Sequence, residues 1–305
     1  MTSPVFIEPK LSVVVAAWNN ADSLRNCLAS LLARDDDDDS AEVIVASNFG
    51  VAEADEVRNS FPEVTYLWLP ECTTVPELRA AGIRAASGKV VALLEDHCTP
   101  DKYWRREILK AHAQHAHASI GGAIENVSQD GLVSWAVYFY DYGRYMPPCQ
   151  EGKAAALSGL NVSYKRVALE GVKDSFRDGF FETFVNERLK RDGYSLYLQP
   201  EAVVYHHKTY RMREALVQCY HLARSFGARR VAGAAPARRA VFAVAALGLP
   251  VLLPMRIVLT VASKGRHVKE LLLSLPHLVT LMAGWSLGEF CGYLAGEGTS
   301  GANWK

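Results

Sequence analysis

None of the six cysteines (Cys27, Cys72, Cys98, Cys149, Cys219, Cys291) lies in a C-x-x-C pair. That scatter excludes a paired-thiol zinc site and a dense disulfide framework, and fits reduced thiols in a cytosolic setting. An excess of one charge is also missing, because 33 Lys+Arg balance 33 Asp+Glu. Without a global electrostatic pull, no nucleic-acid partner is expected. The chain does not open on a basic stretch followed by a long apolar run, so no secretory leader is expected. No glycine-rich phosphate loop follows the first apolar run, which argues against a nucleotidyltransferase. Half of the 305 residues are hydrophobic and 22% are charged, which is enough to bury a core and excludes a disordered chain.

What is present falls into two parts. Residues 1–225 mix charged and apolar segments as a soluble domain does. Residues 240–296 are mostly apolar with few acids, and ARSFGARRVAGAAPARR (223–239) between them is basic and rich in Ala and Gly. Composition therefore predicts a domain over 1–225, a basic linker over 226–239 and a helical segment over 240–305.

Within the first part, LSVVVAA (11–17) predicts a buried strand. Leu24, Cys27, Leu28, Leu31 and Leu32 follow at helical spacing, with Asn20 or Asp22 as N-cap. EVIVA (42–46), VTYLWL (64–69) and KVVALL (89–94) predict further strands, and ELRAAGIRAA (77–86) a helix stopped by Ser87-Gly88. This alternation predicts an α/β fold, a mostly parallel sheet flanked by helices. Ligands of such sheets bind beyond the carboxyl ends of the strands. Trp18-Asn19-Asn20, Ser47-Asn48-Phe49 and Glu95-Asp96-His97 stand at three such ends and are expected on one rim. The five aspartates at 35–39 include no glycine to fold them round a cation and predict a solvated loop. His112, His115 and His117 predict a surface helix, and YFYDYGRYMPP (138–148) an irregular, tyrosine-rich loop on the acceptor side.

Four stretches in order resemble a family 2 glycosyltransferase of the GT-A (Rossmann-like) fold, of a membrane-associated bacterial type, over about residues 11–225. SVVVAAWNNADSLRNCLASLL resembles its opening strand and helix. ELRAAGIRAASGKVVALLEDHCTP resembles its arginine-bearing helix and acidic strand end. LSGLNVSYKRVAL resembles its acceptor-side strand, and FFETFVNERLKRDGYSLYLQPEAVVYHH its catalytic helix and a strand ending in histidine. The chain departs from the family pattern at three points. Glu95-Asp96-His97 replaces Asp-x-Asp, Ser47-Asn48 replaces Asp-Asp, and Phe181-Glu182 replaces Glu-Asp when Arg188 and Gly193 are kept in register.

The resemblance implies transfer of a sugar from a nucleotide-sugar donor, a UDP-sugar foremost, to a glycan or lipid-linked acceptor, in polysaccharide or glycolipid biosynthesis. It implies a hexosyltransferase acting with inversion. The residues implied for the donor are Trp18, Asn19, Ser47, Asn48, Arg79, Glu95, Asp96, Gly159 and Asn161. Those implied for a divalent metal, Mn²⁺ or Mg²⁺, are Glu95, His97 and His206; mixed carboxylate and imidazole donors suit Mn²⁺ somewhat better. Glu182 is the expected catalytic base, because the preceding Phe180-Phe181 predicts an apolar wall that favours proton uptake; Asp178 is the reserve. The altered motifs also fit a catalytically inactive relative that binds nucleotide sugar or glycan. No Gln-x-x-Arg-Trp occurs, so transfer of single sugars is expected rather than polymerisation.

Two apolar stretches, 240–263 and 271–296, each reach the roughly twenty residues that a bilayer crossing needs. Pro250, Pro254 and Arg256 interrupt the first, and Lys264, Arg266 and Lys269 lie in the connection. Those bases predict helices that lie in the cytoplasmic face of the cell membrane rather than cross it.

Overall fold

The computed structural model describes residues 10–18, 20–33, 41–49, 51–128 and 131–303. Asn19 and the aspartate run lie outside these. In chain order the first elements are β1 (Leu11–Ala17), α1 (Ala21–Leu32), β2 (Ala41–Ser47), α2 (Val51–Ser60), β3 (Thr65–Trp68), α3 (Val75–Ala85), β4 (Val90–Glu95) and β5 (Cys98–Pro100). There follow α4 (Trp104–Gln114), β6 (Ser119–Asn126), α5 (Leu132–Tyr142), β7 (Gly152–Ala154), β8 (Val162–Lys165), α6 (Arg166–Gly171), α7 (Glu182–Arg191) and β9 (Leu196–His206). The chain then turns helical: α8 (Met212–Arg230), α9 (Pro236–Ala246), α10 (Leu249–Ser263), α11 (Val268–Ala295) and α12 (Ser300–Asn303). The contacts divide the chain into two compact units, Met1–Glu125 with Pro147–His207, and Asn126–Met146 with Lys208–Lys305. This division differs from the composition shift. Residues 126–146 go with the C-terminal part, and the end of α8 and start of α9 take up the expected linker at 226–239.

The first unit is a mixed sheet in the order β3-β2-β1-β4-β8-β6-β9-β5. Strands β3, β2, β1 and β4 are parallel, and β8 joins β4 antiparallel. Every residue of β1 and β4 is buried, as expected of strands covered on both faces, which is why they read as unbroken apolar runs. Asn20, not Asp22, caps α1: its side chain accepts from Ser23 N at 2.8 Å.

Helix α3 starts with a capping box. The Glu77 carboxylate accepts from Thr74 N at 2.7 Å, with Pro76 in the first turn. Gly82 then lets it lie unusually close to the sheet, since a Cβ there would come 2.2 Å from Val14 Cγ1. Arg79, three residues earlier and on the same face, is thereby pressed against the carboxyl edge of the sheet.

His112 is not on a surface. It is buried in α4 with Nε2 at 2.9 Å from Ser163 Oγ, and that hydroxyl donates to Ile120 O at 3.0 Å. The hydroxyl proton is thus committed, so Nε2 carries the imidazole hydrogen, and buried Nδ1 makes no hydrogen bond.

In the second unit the first five residues of the stretch expected to be a loop, 138–142, close helix α5, and 143–148 are turns and bends. Ser134 to Phe139 of α5 are all buried, and Trp135 stacks on Phe139 at 5.3 Å. Helix α8 carries Ala215, Cys219, Ala223 and Gly227 at four-residue spacing and α11 carries Gly284, Gly288 and Gly292. These small residues bring the two backbones together: a Cβ on Gly288 would fall 2.4 Å from Tyr220 O, and one on Gly292 2.3 Å from Arg224 O.

Two outcomes follow from this packing. Burial, and after it Lys165, hold the folded His112 imidazole down to about 3, against an ordinary 6.5. The unfolded chain therefore takes up a proton that the folded one refuses. The stability this confers is complete above pH 6.5 and is lost as pH falls toward 3. Between pH 7 and 5, urea unfolding should show wild type losing about 2 kcal/mol more than His112→Gln; equal losses would contradict this. Gly288→Val should cost about 1–3 kcal/mol by overpacking, read as a lower melting temperature. Gly171→Ala, with open space around it, should melt like wild type.

Candidate active site

The rim of the parallel strands gathers residues distant in sequence. Asp96, at the end of β4, is fully buried; its N donates to Ala16 O at 3.1 Å, and its Oδ2 accepts from Trp18 N at 3.0 Å. This carboxylate locks the ends of β1 and β4 together. Its other oxygen, Oδ1, lies 3.3 Å from His97 Nδ1.

The antiparallel pairing of β5 with β9 brings in His206. Cys98 is in register with His206, and His207 N donates to His97 O at 3.0 Å. The His97 and His206 rings meet edge to face at 5.1 Å, and Trp18 meets His97 at 6.0 Å. Burial, then the neighbouring His97, push the His207 imidazole below its ordinary value.

Arg79 joins the rim to α7. Its Nη2 pairs with Glu95 Oε1, and its Nη1 lies 3.0 Å from Glu182 Oε2. Glu182 arrives because Phe180 N donates to Pro76 O at 2.7 Å, tying the approach to α7 onto the start of α3. Gly159 backs the pair: a Cβ there would lie 2.8 Å from both Arg79 Nη1 and Glu182 Oε2. The apolar wall expected beside Glu182 is only partly there. Phe180 turns into the core against Tyr164 and Phe176, so the closest charged neighbour of Glu182 is a guanidinium. Burial first, then the Glu182 carboxylate, push the Tyr164 hydroxyl up.

Other expected site residues are held by the fold. Asn161 donates to Ala123 O and Ala202 O, both at 2.8 Å, and accepts from Trp104 Nε1 at 2.9 Å. Both ends of its amide pin parts of the fold together. Asn48 donates to Thr73 O at 2.8 Å, and Ser47 Oγ accepts from Phe49 N at 3.1 Å, so both shape the loops at the end of β2. Asp178 is exposed and makes no hydrogen bond or ion pair with the cluster among the described residues. Trp104 was not marked by the sequence, since a lone tryptophan in an amphipathic helix carries no sign that it anchors an asparagine.

No group of three His, Cys, Asp or Glu placed to hold a metal occurs among the described residues. A pair does. His97 Nε2 is buried without a hydrogen bond and lies 3.4 Å from Glu95 Oε2, a separation that suits neighbouring ligands of one cation. Glu95, Asp96 and Glu182 also outnumber the one guanidinium, which leaves negative charge for a cation to offset. The residues present therefore fit a divalent ion completed by ligands from outside the protein.

A comparison with protein families matches residues 12–172, just over half of the chain, to the family described as Glycosyl transferase family 2. The chain belongs to glycosyl transferase family 2. No curated protein matches it. The matched stretch contains Arg79, Glu95–His97 and Gly159. Glu182 and His206 lie beyond it, and only their contacts bring them to the same site. Membership supports glycosyl transfer and implies a nucleotide-sugar donor and an acceptor.

Because no Cβ fits between Gly159 and the ion pair, Gly159→Ala should separate Arg79 from Glu182. Sugar transfer should fall about a hundredfold in kcat/KM with an unchanged circular dichroism spectrum. Wild-type rates in that variant would contradict the geometry.

Proposed function

We propose that this rim performs inverting transfer of a single hexose from a nucleotide sugar, a UDP-sugar foremost, to a glycan or lipid-linked acceptor. The observation that carries the reading is Arg79 bridging Glu95, at the strand end, and Glu182, at the start of α7. A charge-neutralising edge and a carboxylate that can accept a proton are thus a guanidinium apart.

In this reading Glu182 takes the proton from the acceptor hydroxyl as it attacks. Attack opposite the departing diphosphate inverts the anomeric carbon through an oxocarbenium-like transition state. Arg79 keeps the Glu182 carboxylate facing the rim and offers its guanidinium to phosphate oxygens. A divalent ion, Mn²⁺ or Mg²⁺, held by Glu95 and His97 with His206 beside them, would neutralise charge developing on the diphosphate. Trp18, at the end of β1, offers its ring to the nucleobase.

The acceptor in this reading is presented at the cytoplasmic face of the cell membrane. Among the described residues one helix, Val268–Ala295, is long and apolar enough to cross a membrane, and Pro236–Ala246 with Leu249–Ser263 passes only as a pair bent by 59°.

The test is a panel of nucleotide sugars scored by thermal shift and by turnover with Mn²⁺. At least one donor should raise the melting temperature and be consumed. Glu182→Gln should keep that shift while turnover drops at least about a hundredfold. A shift with no turnover of any donor would favour the inactive binding relative, and Glu182→Gln turning over like wild type would exclude Glu182 as the base.

A further inference from the structure

The helix that is long enough to cross a bilayer is not free to do so. From Leu281 onward α11 runs along α8: Cys219 Sγ contacts Leu281 O at 3.2 Å, and Gly284, Gly288 and Gly292 lie against Leu216, Tyr220 and Arg224. Helix α8 carries Arg213, Glu214 and Arg229. A bilayer around α11 would draw that charged helix into hydrocarbon, where ionised side chains are costly.

Helices α9 and α10 add a second apolar face to the one that α11 exposes with Leu272, Leu273 and Leu287. Val241, Val244, Leu247, Val251, Met255 and Leu259 recur every three or four residues, and all are exposed, Val251 at 71% and Leu259 at 64%. Among the described residues an apolar ridge of this kind has no partner. It is not a span. The 15 residues of α10 reach about 22 Å, short of the hydrocarbon core of about 30 Å, and Arg256 is exposed at the helix midpoint.

Charge indicates what covers the ridge. Residues 236–296 hold six Lys or Arg and two acids. One of the acids, Glu289, is buried and accepts from Trp285 Nε1 at 2.6 Å. Arg238 on α9 and Arg256 on α10 are exposed, as is Lys269 at the start of α11.

We propose that α9 and α10 form a monotopic anchor. They lie in the plane of an anionic phospholipid surface, with the valine–leucine ridge in the acyl boundary and the bases among the headgroups, while α11 stays packed on α8 along Gly284, Gly288 and Gly292. This rests on the membrane reading above and specifies its partner and depth.

The full-length protein is co-sedimented with vesicles of phosphatidylcholine, with or without phosphatidylglycerol. Wild type should bind the anionic vesicles more tightly. Val251→Asp/Leu259→Asp should lose at least about tenfold in partitioning, and Arg256→Glu should lose only the preference for anionic lipid. A protease site inserted at Gly265 should be cut from outside intact vesicles. Protection of that site, undiminished binding of the double variant, or a double variant that only dissociates a dimer would each overturn the anchor. Wild type ignoring both vesicle types would remove the membrane-acceptor reading as well. Transfer to a water-soluble acceptor, unchanged in the double variant, keeps the catalytic reading separate.

Discussion

One buried guanidinium organises the catalytic rim. Arg79 is 7% exposed, and a charge so far from water is tolerated only when paired and hydrogen-bonded. Its partners, Glu95 and Glu182, are 16 and 103 residues away in sequence. Much of the surrounding structure can be understood as delivering these three groups to one point. Gly82 lets α3 approach β1, the Thr74–Glu77 capping box fixes where that helix starts, Phe180 N holds the α7 approach to Pro76, and Gly159 leaves the space for the pair to close. Removing either carboxylate leaves positive charge with less compensation, so the cluster is an energetic unit as well as a geometric one.

The sheet topology supplies the rest. The parallel half places three strand ends on one edge, the usual location of ligands in open α/β sheets. The switch to antiparallel pairing beyond β4 returns β9 alongside β5 and so sets His206 next to His97. Asp96 is the hinge of this edge. Its neighbours in sequence face the site, while its own carboxylate holds β1 to β4 through Trp18 N. In Glu95-Asp96-His97, then, the middle carboxylate is held by the end of β1, and the outer two side chains lie 3.4 Å apart.

Much of this was legible from residue patterns. The runs at 11–17 and 90–95 read as strands because burial on both faces requires uninterrupted apolar residues, and the three polar clusters were placed on the rim by where those runs stop. Glu182 was found by register with Arg188 and Gly193, but its ion pair was not, because sequence gives no distance between 79 and 182. Residues 138–142 were missed as the end of α5 because Ser134 to Phe139 are all buried, so the helix lacks the polar stripe that reveals a helical period. His112 was misjudged in a similar way. A buried polar residue with all its hydrogen bonds inside the fold has the same letter as one that faces a ligand. The apolar composition of the tail was visible in the sequence, but only the packing of α11 on α8 shows which of its faces is covered.

The central claim is that Arg79 and Glu182 act as one unit. The most direct measurement is a double-mutant cycle on sugar-transfer kcat/KM with Arg79→Met, Glu182→Gln and the pair. Coupled action predicts a double variant little worse than the more damaged single one, an interaction of at least about 1 kcal/mol. Losses that add to within about 0.3 kcal/mol would show the two residues working independently and would contradict the account.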